Sequence, residues 1–200
     1  MKLSPHWSFN ILNDPKRLAF VLSRYKFAGT IFNCKYNYSV LELGCSEGIG
    51  IPFLLNNSSN YVGVDLDKEA IKYAKKNYPQ YKFLEADFLN KKFGEFDCIV
   101  SLDVIEHISK DVENNYFETI RKNINKNGIA VVGTPNITSE AYASAPSKAG
   151  HINLYDEDRL KTVMEKFFHN VFMFGMNDET AGTGFAPMKH YLIAVGMNKK

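Results

Sequence analysis

The chain has 200 residues, 24 Lys and Arg against 22 Asp and Glu, and a net charge of +2. That length suits one domain burying about 70% of its unfolded surface, and 45% hydrophobic with 23% charged residues is an ordinary globular balance. Near-neutral charge argues against a protein held on nucleic acid or a membrane by electrostatics; no run approaches the ~18 apolar residues of a membrane span, and Pro5, Asn10, Asn13, Asp14 and Pro15 leave no apolar run for a signal peptide.

Asn13-Asp14-Pro15 reads as a helix start, a capping side chain followed by proline in the first turn. The helix runs to about Gly29, with Leu18, Val21, Leu22, Tyr25 and Ala28 on one face. Residues 40–43 form a short apolar strand that runs into Gly44-Cys-Ser-Glu-Gly-Ile-Gly50, and a short helix follows with Pro52 in its first turn. Residues 61–65 are a second strand; Asp67 then caps a helix with Ala70, Ile71 and Ala74 inward and Pro79 beyond its end. Residues 81–84 and 96–101 are the third and fourth strands, and a helix over about 110–125 closes at the turn Asn127-Gly128. Residues 129–133 are a fifth strand, followed by a polar stretch to Asn153 that is long for a compact domain. Asp156 caps a helix to about Phe167; strands at 171–174 and 190–195 flank a turn-rich segment, 177–187. Strands alternating with helices imply an α/β fold with a mostly parallel sheet covered on both faces. Ligands of such sheets sit beyond the carboxyl ends of the strands, where the strand order reverses.

Gly44, Gly48 and Gly50 permit positive φ and close approach of a ligand to the backbone. The loop fails the dinucleotide pattern G-x-G-x-x-G, because Ser46 and Ile49 occupy the second and third glycine positions. No Gly-Lys-Ser/Thr follows, so it is not a phosphate-binding P-loop either. It reads as a nucleoside site without the phosphate grip. Asp65, 21 residues after Gly44, ends the second strand and can accept both hydroxyls of a ribose. Asp87 ends the third, where an acid reaches the exocyclic amine of an adenine. Glu42, inside an apolar strand, is costly to bury without partners; it can anchor loop amides or face a ligand ammonium group.

Val40-Leu-Glu-Leu-Gly-Cys-Ser-Glu-Gly-Ile-Gly50 resembles the first motif of the class I S-adenosylmethionine-dependent methyltransferases, hydrophobic-(D/E)-hydrophobic-G-x-G-x-G, with Ser46 at the middle glycine. Residues 62–65, 85–88 and 96–107 resemble the second, third and fourth motifs, and 127–133 the fifth-strand segment. The resemblance implies a Rossmann-like seven-stranded sheet, mostly parallel with an antiparallel last strand, and helices on both faces. It implies a single domain over residues 1–200, with a helical cap at about 1–35, a cofactor-binding core at about 38–135, and substrate-side segments at about 136–155 and 177–187. It also implies S-adenosylmethionine as methyl donor and S-adenosylhomocysteine as product. Gly44, Ser46 and Gly48 would hold the methionine part, with Glu42 beneath and Arg24 or Tyr25 reaching its carboxylate. Asp65 and Leu66 would take the ribose, Asp87 and Phe88 the adenine, and Leu102 the region beside the sulfonium.

Methyl transfer from a sulfonium is an in-line displacement, for which positioning supplies up to roughly 7–11 kcal/mol and a general base about 10²–10⁴-fold. His107, in Leu102-Asp-Val-Ile-Glu-His107, and His151, in Gly150-His-Ile-Asn-Leu-Tyr155, follow the fourth and fifth strands and are the candidate catalytic residues, together with Asp103. His6, His169 and His190 read as packing or surface residues. Asp103-x-x-Glu106-His107 also has the Glu/Asp-x-x-Glu-His spacing of some metal-dependent O-methyltransferases, in which a distant histidine, here His151, completes a divalent-metal set. The first position is Asp, shorter than the Glu of those families. Tyr142, Ser144, Ser147 and Lys148 in one loop, and Asn177, Asp178, Glu179, Thr180, Thr183 and Phe185 in the other, suit a polyhydroxylated ligand. The tail from Thr134 to Tyr191 resembles small methyltransferases of surface-polysaccharide biosynthesis. The resemblance implies O-methylation of a sugar or nucleotide-linked sugar; N-methylation of an amino sugar or small amine, and a non-catalytic cofactor-binding subunit, are the alternatives. The expected partner is a small polar acceptor, with no nucleic acid and no membrane, and the chain a monomer or homodimer. Cys34, Cys45 and Cys98 form no CxxC pair and read as reduced thiols of a cytoplasmic protein.

Overall fold

The structure is a computed structural model that describes residues 3–33, 37–55 and 60–200. Cys34 and the two ends of the expected helical cap lie outside the described residues, as does the side chain of His6. The chain opens with a helix that the sequence reading missed, α1 (Pro5–Asn13). Its start is a capping serine followed by proline: the Ser4 side chain accepts from the Trp7 amide. α2 (Pro15–Phe32) follows with Asp14 as its cap, accepting from the Arg17 amide. It runs past Gly29, which is a packing position and not a stop: a side chain there would run into the Phe53 carbonyl of α3 (Ile51–Leu54).

Among the described residues eight strands form one sheet: β1 (Ser39–Leu43), β2 (Asn60–Asp65), β3 (Lys82–Glu85), β4 (Phe96–Leu102), β5 (Ile124–Pro135), β6 (Phe168–Asn177), β7 (Thr180–Gly182) and β8 (Tyr191–Lys199). The spatial order is β3-β2-β1-β4-β5-β8-β6-β7. β1 lies parallel between β2 and β4, with Leu41 opposite both Val62 and Ile99. β8 is antiparallel to β5 and β6, as expected for the last strand. The expected count of seven is corrected to eight by β7, a three-residue edge strand folded back on β6. Asn127-Gly128 closes no separate turn. It lies within β5, where the pairing jumps from Phe96 opposite Ile124 to Cys98 opposite Ile129 and the intervening residues bulge from the ladder.

The helices α4 (Lys68–Asn77), α5 (Glu113–Asn123), α6 (Ala145–Gly150) and α7 (Glu157–Glu165) complete the fold. Alternation along each strand feeds two cores. Val40, Cys98 and Val100 pack with Ala28 and Phe32 of α2 and Ile71 and Ala74 of α4. Leu41, Leu43 and Ile99 pack on the other face with Phe117 and Ile120 of α5 and Leu160 and Met164 of α7. Both faces are thus covered, and the strand order reverses between β1 and β4. The Ser101 hydroxyl donates to the Leu43 carbonyl at 3.1 Å, tying the carboxyl ends of those two strands together. No helix among the described residues is long and apolar enough to cross a membrane.

Candidate active site

The loop after β1 is held by its own backbone and by β2. The Gly44 and Cys45 amides both donate to the Val64 carbonyl, at 2.8 and 3.2 Å. Gly44 has φ +78°, and a side chain there would strike Val104. Ser46 also adopts a left-handed conformation, φ +47°. That geometry costs a non-glycine residue about 1–2 kcal/mol, which is why glycine is the pattern residue at this point. The Ser46 amide donates to Asp65 Oδ2 at 2.7 Å and the Asp67 amide to Asp65 Oδ1 at 2.9 Å. The Asp65 carboxylate is therefore fixed beside the loop, with lone pairs left on both oxygens. At the neighbouring strand end, Asp87 is exposed and accepts from the Leu89 amide at 2.9 Å, while Phe88 is buried and Leu66 is exposed.

Glu42 answers to neither expected role. It is buried, its partners are the hydroxyls of Tyr61 and Tyr25, and burial raises its pKa to about 7 against the pull of those two hydrogen bonds. The Tyr25 hydroxyl is accordingly spent on Glu42, within the core. Arg24 points the other way. Its Nη1 lies 2.7 Å from both oxygens of Asp103, and its guanidinium stacks 3.7 Å from the centre of the Tyr191 ring. Asp103 itself is in the left-handed region, φ +57°, with its amide shared between the Gly133 carbonyl at 3.0 Å and the Tyr191 hydroxyl at 3.1 Å. Asp103 is thus held by Arg24 on its carboxylate and by β5 and Tyr191 on its amide.

The two expected histidines meet. His107 ends a single 3₁₀ turn (Ile105–His107) after β4 and His151 caps the end of α6. Their rings are 5.1 Å apart, edge to face. His107 Nδ1 lies 2.9 Å from the Gly150 carbonyl oxygen. A carbonyl only accepts, so Nδ1 carries the proton and Nε2 is the basic nitrogen of the neutral ring. Burial, followed by the neighbouring His107, lowers the pKa of His151.

Both histidines line one cleft of about 610 Å³ together with Gly44, Ser46, Leu102 and Asp103, whereas Asp65, Leu66, Asp87 and Phe88 stand outside its lining. Arg17 and Arg24 of α2 line it as well. Glu140, Tyr142, Ser144 and Ser147 come from the substrate-side loop, and Asp178 and His190 from the tail. His190, read from sequence as packing or surface, is exposed on this rim and faces Tyr142 at 6.4 Å.

Residues 14–167 match the family described as a methyltransferase domain. The chain belongs to that family. A probable S-adenosylmethionine-dependent methyltransferase of Mycobacterium tuberculosis is 26% identical over 141 residues, covering 68% of this chain and 51% of that protein. A ubiquinone biosynthesis O-methyltransferase of Rickettsia bellii is 27% identical over 155 residues, covering 70% of this chain and 62% of the relative. The first curated relatives are longer still: the chain spans 19% and 41% of two uncharacterized proteins of Rickettsia prowazekii. Among solved structures, a TehB-like S-adenosylmethionine-dependent methyltransferase of Corynebacterium glutamicum superposes with a TM-score of 0.69 at 20% identity, over 98% of this chain and 100% of that one. The N-methyltransferase NodS of Bradyrhizobium japonicum, bound to S-adenosylhomocysteine, gives 0.65 at 17% identity over 96% and 91%. The loop after β1, with the Asp65 carboxylate fixed beside it, fits a nucleoside.

A divalent ion is the other group that the sequence raised. Of its four expected ligands the methyltransferase brings three together: Glu106, His107 and His151 place one ligand atom each within 4.8 Å of one another. Asp103 is withheld by Arg24. Glu106 is fully buried, with one carboxylate oxygen accepting from the Thr134 hydroxyl at 3.0 Å and the other without a hydrogen-bond partner. Burial and then Asp103 raise its pKa to about 8. An orphaned buried carboxylate oxygen beside two imidazoles is a donor set that suits such an ion.

Proposed function

We propose that this methyltransferase O-methylates a hydroxyl of a small polar acceptor, a sugar or similar polyol, held in the cleft with a histidine as base. S-adenosylmethionine supplies the methyl group and leaves as S-adenosylhomocysteine. The Gly44–Ser46 backbone and the fixed Asp65 carboxylate hold the donor; Asp87 and Phe88 border its adenine. The acceptor lies under His107 and His151, and its hydroxyl proton passes to the basic nitrogen as the oxygen attacks. The observation that carries this reading is the pair of imidazoles 5.1 Å apart on the cleft wall, one with its tautomer fixed by the Gly150 carbonyl. The lowered pKa of His151 keeps that ring neutral, hence basic, at pH 7. The cleft is also lined by Ser144, Ser147, Glu140, Asp178 and His190, all hydrogen-bonding groups. A phosphorylated acceptor would meet Glu140 and Asp178, which favours the sugar itself over its nucleotide-linked form. The single domain, with 136–155 and 177–187 as its specificity segments, belongs to the same reading. So does a reducing, cytoplasmic setting, which the buried positions of Cys45 and Cys98 suit.

His107→Ala and His151→Ala should each lower kcat on a hydroxyl acceptor by about 10²-fold or more while leaving S-adenosylhomocysteine binding intact. Undiminished turnover on a hydroxyl acceptor would refute the base; undiminished turnover on a neutral amine would instead identify an N-methyltransferase. The Glu106, His107 and His151 cluster supports a second reading, a bound divalent ion that acidifies the acceptor hydroxyl. Loss of activity on chelation, with recovery on adding back Mg²⁺ or Mn²⁺, supports it; activity indifferent to chelator removes it.

A further inference from the structure

The segment that delivers His151 crosses the turn that carries Glu106 and His107 at two points. The Gly150 carbonyl meets His107 Nδ1 at 2.9 Å, and the Asn153 amide donates to the Glu106 carbonyl at 3.1 Å. The two contacts bracket His151. Only the second is anchored from behind. Asn153 is fully buried, and its side-chain Nδ2 donates to Glu113 Oε2 and to the Tyr155 hydroxyl, both at 3.0 Å. Glu113 stands in the first turn of α5, which belongs to the core and not to the cleft. Its Oε2 also accepts from the Tyr155 hydroxyl and from Arg159 of α7. Arg159 donates in addition to the Leu154 carbonyl at 2.6 Å and lies 3.9 Å from the centre of the Tyr155 ring. Tyr155 is fully buried, and its carbonyl accepts from the Ile137 amide at 2.8 Å, at the start of the 3₁₀ segment that brings Glu140 to the rim.

One carboxylate oxygen of α5 thus gathers three donors, from Asn153 and Tyr155 in the loop and from Arg159 in α7. Surface loops do not normally invest a fully buried asparagine and tyrosine and a charged pair in their own attachment. The investment is two residues from a histidine on the cleft wall.

We propose that Glu113 and Asn153 are positioning residues: through Tyr155 and Arg159 they lock the His151 segment onto the Glu106–His107 turn and set the distance between the two imidazoles. Neither touches the acceptor or the donor. This role rests on the proposed part of the two histidines in the reaction, whether as base or as ion ligands. The network fixes register along the segment, because Asn153 is held on both its main chain and its side chain. Loss of the side-chain hold frees the segment to slide over the turn, and His151 goes with it.

The test is a rescue measured by two readouts. Asn153→Asp sets a carboxylate against Glu113 and should lower kcat about 10–100-fold, as for displacements of about 1 Å in other sites, with KM for S-adenosylmethionine unchanged. The nuclear Overhauser contact between the His107 and His151 rings should weaken with it. Glu113→Gln alone should show a smaller loss of both. The exchanged pair, Asn153→Asp with Glu113→Gln, restores one amide–carboxylate hydrogen bond and should recover kcat to within about threefold of wild type, as coupled partners do. S-adenosylhomocysteine binding reports whether each variant is folded; should Asn153→Asp fail to fold, Tyr155→Phe, which deletes only a hydroxyl, carries the same expectation for both readouts. Wild-type kcat and an unchanged inter-ring contact in Asn153→Asp or Tyr155→Phe would overturn the proposal. So would a double variant no better than Asn153→Asp. Failure of the reaction reading shows differently: the inter-ring contact then responds to these substitutions, while His151→Ala leaves kcat untouched.

Discussion

Glu42 shows how a residue can be recognised as special from sequence and still be assigned the wrong work. An acid in an apolar strand has to find donors, and the sequence offers the loop amides as the nearest. The structure supplies tyrosines from two other elements instead, Tyr61 and Tyr25. The consequence is a pH-dependent stability. The Glu42 pKa is raised to about 7 from 4.5, with burial the leading cause. Its contribution is therefore complete below about pH 4.5 and is lost as the pH rises through 7. Glu106, raised to about 8, acts with the same sign over a wider window. The Glu42 shift from 4.5 to about 7 corresponds to about 3 kcal/mol, so unfolding free energy should fall between pH 5 and pH 8. In Glu42→Gln, denaturant titrations across that range should show a flatter profile; a slope equal to wild type would show that Glu42 titrates normally. Asp65 was legible because its place at a strand end requires nothing beyond the chain itself. Arg24 and Asp103 were not legible as a pair, because they are 79 positions apart and no local pattern links them.

Capped and periodic elements were readable for the same local reason. Asp67 and Asp156 cap α4 and α7 as expected, because an N-cap is made within one turn. α1 was missed although its Ser4 cap and Pro5 are local, but the other misses are elements that tertiary contacts create. β7 exists only as a partner of β6, and β5 extends through Asn127-Gly128 only because β4 lies alongside. Asn123, at the end of α5, is another such case. Its Oδ1 accepts from the Phe93 amide at 2.5 Å and the Gly94 amide at 3.1 Å, and its Nδ2 donates to the carbonyls of Lys91 at 2.8 Å and Thr119 at 2.7 Å. Fully buried, it pins the connection into β4 to the helix. Asn123→Ala removes the side-chain partner of all four backbone groups and should cost about 4 kcal/mol or more, at roughly 1–3 kcal/mol per unsatisfied buried group. Chemical denaturation measures this; a loss under about 1 kcal/mol would mean that water replaces the side chain.

At the scale of the molecule, the near-neutral sum of +2 conceals an uneven distribution. The cleft is lined by Asp14, Asp103, Glu140 and Asp178 against Arg17 and Arg24, so it is acidic while the chain as a whole is weakly basic. An acidic cleft complements a sulfonium donor and disfavours polyanionic acceptors. Gly44, Ser46, Leu102 and both histidines, singled out from sequence, line the cleft. Its other lining residues come from α2, the 3₁₀ turn after Asn136, α6 and the tail, whose meeting depends on the whole sheet. The central claim is that the loop after β1 and the Asp65 carboxylate form a nucleoside-sulfonium site. Calorimetric titration with S-adenosylhomocysteine tests it directly. Wild type should bind one equivalent, and Asp65→Ala, folded by circular dichroism, should bind at least about tenfold more weakly, a loss near 1.4 kcal/mol. No binding to wild type at millimolar ligand, or equal affinity in the two proteins, would contradict it.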